Sequence, residues 1–136
     1  CKEKIIEYGL ENSFYLFTNR DDGPQISKLF NIAVLPSKAE AFPNVLLEYM
    51  YWSKPCVATN VGDCSKIIDN KITGYIVDSE NAKALSEGIE SVIQLNAEDY
   101  ENMGKKARLK LESKYKIEHY CSNTLAVYNN LINRGN

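Results

Sequence analysis

A nine-residue run begins and ends with a glutamate and contains one proline: Glu40-Ala41-Phe42-Pro43-Asn44-Val45-Leu46-Leu47-Glu48. The apolar residues shortly before it, Ile32 to Leu35, stop at Pro36 and are typical of a buried strand. Pro43 suits the first position of a helix, because the N–H that proline lacks would have no partner there. The run therefore predicts the order strand, loop, helix, with the helix starting at Pro43.

This order predicts an anion site at the start of the helix. The backbone N–H groups of Asn44 and Val45 would point out of the helix end, where a phosphate can dock on them. Glu40 would lie on the loop before the helix and Glu48 more than a turn inside it, so the two carboxylates flank the phosphate. Acidic residues recognise ribose hydroxyls in other nucleotide sites. The implied ligand has a sugar, a diphosphate and a ribose in a row.

The size and charge of the chain exclude several classes of protein. A length of 136 residues fits one domain, and a net charge of -2 gives no basic surface for nucleic acid. No apolar run approaches the roughly 18 residues that a membrane helix needs. The four cysteines lack the short paired spacing of a zinc site or a redox motif. We expect no metal, no cofactor and no nucleic-acid partner, and a reducing, cytoplasmic setting.

The remaining hydrophobic pattern predicts an α/β domain. Three more apolar runs read as strands: Phe14 to Phe17, Cys56 to Thr59, and Gly74 to Val77. Helical stripes occupy the C-terminal part from about residue 81, and we expect their members to be core: Leu85, Ile89, Val92, Ile93; Tyr100, Met103, Ala107, Leu111; Ile117, Tyr120, Cys121, Tyr128, Leu131, Ile132. Strands alternating with helices indicate a Rossmann-like parallel sheet with helices on both faces.

The loop from Thr18 to Asp22 is dense in turn residues and would follow the first strand. Ligands of open α/β sheets bind at the carboxyl ends of strands, so this loop is a candidate contact for a nucleotide base. Arg20 could stack on a base or reach a phosphate. A solvated turn is the alternative interpretation, and the sequence leaves both open.

Glu40 and Glu48 with the residues between them, the later Val57-Ala58-Thr59-Asn60-Val61-Gly62, and Thr73-Gly74-Tyr75-Ile76-Val77 resemble a known family. It is the C-terminal, donor-binding domain of retaining GT-B glycosyltransferases, specifically glycosyltransferase family 4. The resemblance runs from about Ser13 to the C-terminus. It implies that residues 1–136 are a single, truncated nucleotide-sugar-binding domain, a partial C-terminal domain of a GT-B fold. The first stretch, Cys1 to Leu10, also has the pattern of the end of a helix rather than the start of a domain, which indicates a fragment of a longer protein.

The resemblance implies a hexosyltransferase-like enzyme that transfers a sugar from a nucleotide-diphosphate sugar, in polysaccharide or glycoconjugate biosynthesis. Glu40 would be the catalytic residue on the donor sugar, and Glu48 would bind the ribose. The other implied donor-binding residues are Ala41, Phe42, Pro43, Asn44 and Val45 around the diphosphate, and Asn19 and Arg20 near the base. We expect the isolated chain to be inactive, because the N-terminal domain of the enzyme is missing from it.

The resemblance also implies two further strands upstream of this chain, in the middle of the usual sheet. Without them, the strand at Phe14 would either move next to the strand at Ile32 or leave the sheet to be completed by another copy. In family members the last helix crosses back to the N-terminal domain, so the resemblance implies that part of the stripe from Ile117 to Ile132 is exposed or packed on another chain. Self-association of the chain therefore stays open, as does peripheral association of the full-length protein with the inner face of a membrane.

Two departures from the family pattern keep an alternative open. Ala41 stands where the family usually has glycine, and Asp63 where it often has a second glycine. These departures favour a non-catalytic Rossmann-like binding module with weak or absent nucleotide binding. A receiver-type signalling domain is a further alternative, which would need clustered aspartates at strand ends, with Asp21 and Asp22 as the available pair.

Overall fold

The computed structural model describes residues 2–134, and within that range the side chains of His119, Tyr120 and Arg134 lie outside the description, as Cys1 does. The elements in chain order are α1 (Lys2–Glu7), α2 (Gly23–Ile26) with a 3-10 turn at Ser27–Leu29, β1 (Ala33–Leu35), α3 (Asn44–Tyr51), β2 (Cys56–Thr59), α4 (Cys64–Ile67), β3 (Tyr75–Val77), α5 (Ala82–Ile93), α6 (Ala97–Lys114) and α7 (Ile117–Arg134).

The sheet has the parallel strand order β1-β2-β3, with Ala33 opposite Cys56 and Val57 opposite Tyr75. All four residues of β2 are buried, as expected for a parallel strand with both faces covered. Gly88 of α5 packs directly on this strand, since a Cβ there would lie 2.8 Å from the Val57 side chain. The predicted parallel α/β sheet with helices on both faces is confirmed.

The predicted strand at Phe14 to Phe17 is wrong. In the described part of the chain these residues pair with no strand, and their side chains are 44–71% exposed. The segment and Val34 of β1 instead line one cavity of about 800 Å³. A strand exists only through hydrogen bonds to a neighbour, and β1 does not supply them across this space. The expected pairing beside β1 is therefore also wrong.

Helix α3 is anchored by apolar residues on one face. Leu46 and Met50 are fully buried and Tyr49 is nearly so. Gly104 of α6 approaches the end of α3 so closely that a Cβ would meet the Ser53 carbonyl oxygen at 2.1 Å. Ser53 takes a positive φ of 53°, which turns the chain toward β2. These contacts fix the direction of α3, and with it the position of Glu48.

The three C-terminal helices differ in burial. Of the stripes predicted as core on α5 and α6, Val92, Met103 and Ala107 are buried and Ile93 is exposed. The other members are partly buried: Leu85, Ile89, Tyr100 and Leu111. The stripe of α7 is not part of the core in the residues described here, and the exposure that the family resemblance implied for part of it is observed: Ile117, Tyr128, Leu131 and Ile132 are 61–67% exposed. Cys121 is exposed as well. Most of this apolar face is therefore open to solvent in the part of the chain that the structure describes.

Candidate functional site

Helix α3 begins at Asn44, one residue later than predicted. Pro43 occupies the N-cap position with an extended backbone (φ −78°, ψ 93°), and its carbonyl accepts a hydrogen bond from the Leu46 N–H at 3.1 Å. Because proline has no side-chain acceptor, it cannot cap the first N–H groups of the helix. The anion site at the N–H groups of Asn44 and Val45 stays a prediction, and no side chain of the N-cap residue competes for it.

Glu40 lies on the loop before α3, half-buried, and its carboxylate is held by a serine. The Ser37 hydroxyl donates to Glu40 Oε1 at 2.7 Å. The Ser37 carbonyl in turn accepts from the hydroxyls of Thr59, at 2.6 Å, and Ser79, at 3.5 Å. These residues follow or end β1, β2 and β3, so the carboxyl ends of all three strands orient Glu40. Sequence reasoning missed Ser37, whose only signal was its place directly after a strand.

The turn after β2 supports the backbone of the same loop. Gly62 has φ +51°, and a Cβ there would lie 2.1 Å from the Glu40 carbonyl oxygen and 2.7 Å from that of Ala41. The Asp63 N–H donates to the Ala41 carbonyl at 3.0 Å. Gly62 therefore needs both the positive φ and the missing side chain. Asp63 uses its backbone N–H within the protein, and its carboxylate pairs with Lys66 at 2.7 Å.

Phe42 and Asn44 line a cavity of about 460 Å³ beside the start of α3. The Phe42 ring packs on Tyr115 with a centroid distance of 6.0 Å and stays 41% exposed. Lys114 and Lys116 line the same cavity. The sequence analysis did not single out these two lysines, and they are here because the C-terminal end of α6 lies against the start of α3.

Glu48 is half-buried and lines two cavities. One is the space of about 800 Å³, which it shares with Arg20 and Val45. The other has a volume of about 390 Å³ and includes Tyr51 and Trp52. The structure thus brings Glu48, Val45 and Arg20 to one cavity, while Glu40 contacts the strand ends.

Asn19 and Arg20 lie on an exposed loop. Arg20 donates to both carboxylate oxygens of Asp22, at 2.8 and 2.6 Å, and its guanidinium lies 5.5 Å from the Phe17 ring centroid. Hydrogen bonding to Arg20 lowers the pKa of Asp22, and the same contact raises the pKa of Arg20. The loop follows no strand, and Asp22 is committed to Arg20. The aspartate cluster at a strand end that a receiver domain needs is therefore missing from the described loop.

No group of three or more His, Cys, Asp or Glu side chains in the described residues is arranged to hold a metal ion. No helix among them is both long and apolar enough to cross a membrane.

The family model of Glycosyl transferases group 1 matches residues 1–110. The chain belongs to this family. Its departures at Ala41 and Asp63 therefore lie within a glycosyltransferase-family sequence.

Individual relatives agree with the family and with the fold. The capsular polysaccharide biosynthesis glycosyltransferase CapM of Staphylococcus aureus is 28% identical over 137 residues, which cover 93% of this chain and 36% of CapM. Among solved structures, sucrose-phosphate synthase of Thermosynechococcus elongatus superposes with a TM-score of 0.88 at 22% identity, over 98% of this chain and 34% of that one.

HepE of Anabaena, solved in complex with UDP, superposes with a TM-score of 0.83 at 22% identity, over 93% of this chain and 35% of HepE. The chain thus spans about a third of the length of the relatives it matches. This glycosyltransferase-family chain has the fold of one part of a GT-B enzyme, the partial Rossmann-like domain that the sequence predicted.

Proposed function

We propose that the full-length protein is a retaining glycosyltransferase of family 4 and that this chain supplies its donor-binding half. The observation that carries the proposal is the start of α3, where no side chain at Pro43 caps the helix and where Glu40 and Glu48 lie before and inside the helix. The UDP complex of HepE and the role of CapM in capsule biosynthesis support a nucleotide-sugar donor and a polysaccharide or glycoconjugate product.

The proposal gives roles to Glu40, to the segment from Phe42 to Val45, and to Glu48. The backbone from Phe42 to Val45 binds the donor diphosphate through the free N–H groups of α3. Glu40, oriented by Ser37, contacts the donor sugar, and Glu48 accepts hydrogen bonds from the ribose. Fixed dipoles of this kind stabilise a leaving diphosphate without reorganisation.

Three further proposals concern charge, partners and location. No metal is required in the proposed reaction, because cationic side chains of the enzyme and the N-terminus of α3 compensate the negative charge of the diphosphate. The N-terminal domain of the same enzyme is the partner of this chain, and the exposed stripe of α7 is available to it. The free buried thiols of Cys56 and Cys64 fit a reducing compartment, so we propose a cytoplasmic location.

Calorimetric titration of the full-length protein with UDP, GDP, ADP and their sugar conjugates tests the proposal. We expect one nucleotide class to bind saturably, and Glu48→Gln to weaken binding about tenfold, because an amide replaces an ionised acceptor. Glu87→Gln on α5 is the matched control, since its carboxylate is exposed and pairs only loosely with Lys83, at 3.7 Å. Absence of binding by the full-length protein, or equal binding by both variants, would contradict the proposal.

A further inference from the structure

Lys110 is a buried cation on α6 that holds the end of another helix. Only 8% of its side chain is exposed, and its ammonium donates to the Lys66 carbonyl and to Asp69 Oδ1, both at 2.9 Å. Lys66 lies in α4 and Asp69 two residues beyond its last residue, Ile67. A cation at this place satisfies carbonyl groups that the end of a helix leaves free. Lys110 thus fixes the C-terminal end of α4.

Tyr115, directly after the end of α6, contacts both α4 and the loop before α3. Its hydroxyl donates to the same Lys66 carbonyl at 3.1 Å. Its ring packs on Phe42, in the segment that precedes α3. Lys110 of α6 and Tyr115, directly after α6, therefore both donate to one carbonyl group of α4, and Tyr115 also contacts Phe42 in the loop before α3.

The opposite end of α4 supports the loop that carries Glu40. Cys64 and Ile67 are fully buried and hold α4 on the core, while Lys110 holds its C-terminal end, so this short helix and the turn before it move together. Directly before the helix, the Asp63 N–H donates to the Ala41 carbonyl, and Gly62 lies against the Glu40 carbonyl. A displacement of α4 would carry Gly62 and Asp63 with it and release the Glu40–Ala41 backbone.

We propose that Lys110 is a positioning residue of the donor site, which acts through α4 by holding the Gly62–Asp63 turn against the Glu40–Ala41 backbone. The inference rests on the proposed function, because it treats this loop as the place where the donor binds. Without Lys110 the loop samples conformations in which it does not bind donor. A protein that is competent only part of the time binds with lower apparent affinity, in proportion to the competent fraction. Once the donor is bound, the loop is in place.

The proposal predicts a specific kinetic result for Lys110→Met in the full-length enzyme. We expect the KM for the nucleotide sugar to rise about tenfold while kcat changes less than about twofold. A role limited to overall stability would lower the amount of active enzyme instead, and would reduce the apparent kcat at constant KM. Lys110→Arg keeps a cation at this position, and we expect it to restore most of the affinity. Lys105→Met on the same helix is the matched control, because Lys105 pairs with Glu101 in solvent.

Hydrogen exchange followed by mass spectrometry provides a test that does not depend on the donor. In Lys110→Met, we expect the peptides covering residues 38–48 and 61–69 to exchange about tenfold faster, with β1 and α5 unchanged. Uniformly faster exchange, unchanged exchange at 38–48, or a fall in kcat without a change in KM would each overturn the proposal. If the wild-type enzyme binds no nucleotide sugar, the proposed function fails, while the exchange result still decides whether Lys110 holds the loop.

Tyr115→Phe keeps the proposal testable if Lys110→Met does not fold. This change removes the hydroxyl that reaches the Lys66 carbonyl and keeps the ring against Phe42. We expect the same selective increase in exchange at 38–48 and 61–69, smaller than in Lys110→Met. No selective increase in Tyr115→Phe would count against positioning through α4.

Discussion

Cys56 to Thr59 and Phe14 to Phe17 are apolar runs of the same length, and only the first forms a strand. Cys56 to Thr59 has a hydrogen-bonded strand on each side and helices over both faces, so every residue in it is buried. Phe14 to Phe17 has a more aromatic sequence and therefore a higher intrinsic preference for strand, yet it remains exposed beside a cavity. Strand formation in this chain is decided by available neighbours rather than by local composition.

The largest effect should come from placing the same charge in each of the two runs. We expect Val57→Glu, at a fully buried position, to destabilise the 136-residue chain by about 4 kcal/mol, because an unpaired carboxylate would enter the core. Tyr15→Glu, at a position 71% exposed, should change stability by less than about 0.5 kcal/mol. Urea unfolding followed by circular dichroism measures both.

The same pair of variants sharpens the comparison in the full-length protein. If the remainder of the proposed full-length protein supplies neighbours for Phe14 to Phe17, Tyr15→Glu should become costly there, while Val57→Glu is costly in both. A neutral Tyr15→Glu in the full-length protein would mean that the segment stays unpaired even in the complete enzyme.

Much of the fold was predictable because its determinants are local in sequence. The caps of α5 and α6 are Asn81, which accepts from the Ala84 N–H at 3.0 Å, and Asn96, which accepts from the Asp99 N–H at 2.9 Å. Both are polar residues directly before a helical stripe. The need for glycine at position 62 could be suspected from its place in a turn after a strand. Phe14 to Phe17 was mispredicted, and only the family resemblance indicated exposure on α7, because an apolar pattern shows that a surface needs a partner and does not say whether this chain provides one.

The candidate site was less predictable, since its supports are distant in sequence. The nine-residue run from Glu40 to Glu48 predicted a loop, a helix start and two flanking carboxylates from adjacent residues alone. Lys110 contacts Asp69 across 41 positions, and the hydroxyl of Thr59 reaches the Ser37 carbonyl across 22. No periodicity or motif marks such pairs. They became visible only when α6 and the strand ends were placed around the loop.

A smaller effect is expected from replacing one glycine by alanine after each of the two apolar runs, Gly62 after Cys56 to Thr59 and Gly23 after Phe14 to Phe17. Gly62→Ala would place a Cβ 2.1 Å from the Glu40 carbonyl oxygen at a positive φ, so we expect a loss of about 2 kcal/mol and weaker donor binding. Gly23, at the start of α2, has open space around its Cα, and Gly23→Ala should be neutral or stabilise by about 0.5 kcal/mol. Thermal unfolding and donor titration compare the two, and equal tolerance would disprove the close packing of the Gly62 turn.

The smallest effect concerns the ion pair of the exposed N-terminal loop. Because hydrogen bonding to Arg20 lowers the pKa of Asp22, the folded state favours the ionised carboxylate. The contribution of the pair to stability is therefore present at neutral pH, above the ordinary pKa of aspartate, and is lost as the pH falls through the lowered value. Both side chains are about half-exposed, and exposed ion pairs contribute little to stability, so the midpoint of unfolding should barely change.

The sensitive measurement is an NMR titration of the Asp22 carboxyl carbon. In Arg20→Gln we expect its midpoint to move up toward the ordinary value, whereas Lys28→Gln on the following 3-10 turn should leave it unchanged. An unmoved midpoint in Arg20→Gln would show that the bidentate contact is not populated in solution, and would leave Arg20 free to reach a ligand in the cavity that it shares with Glu48.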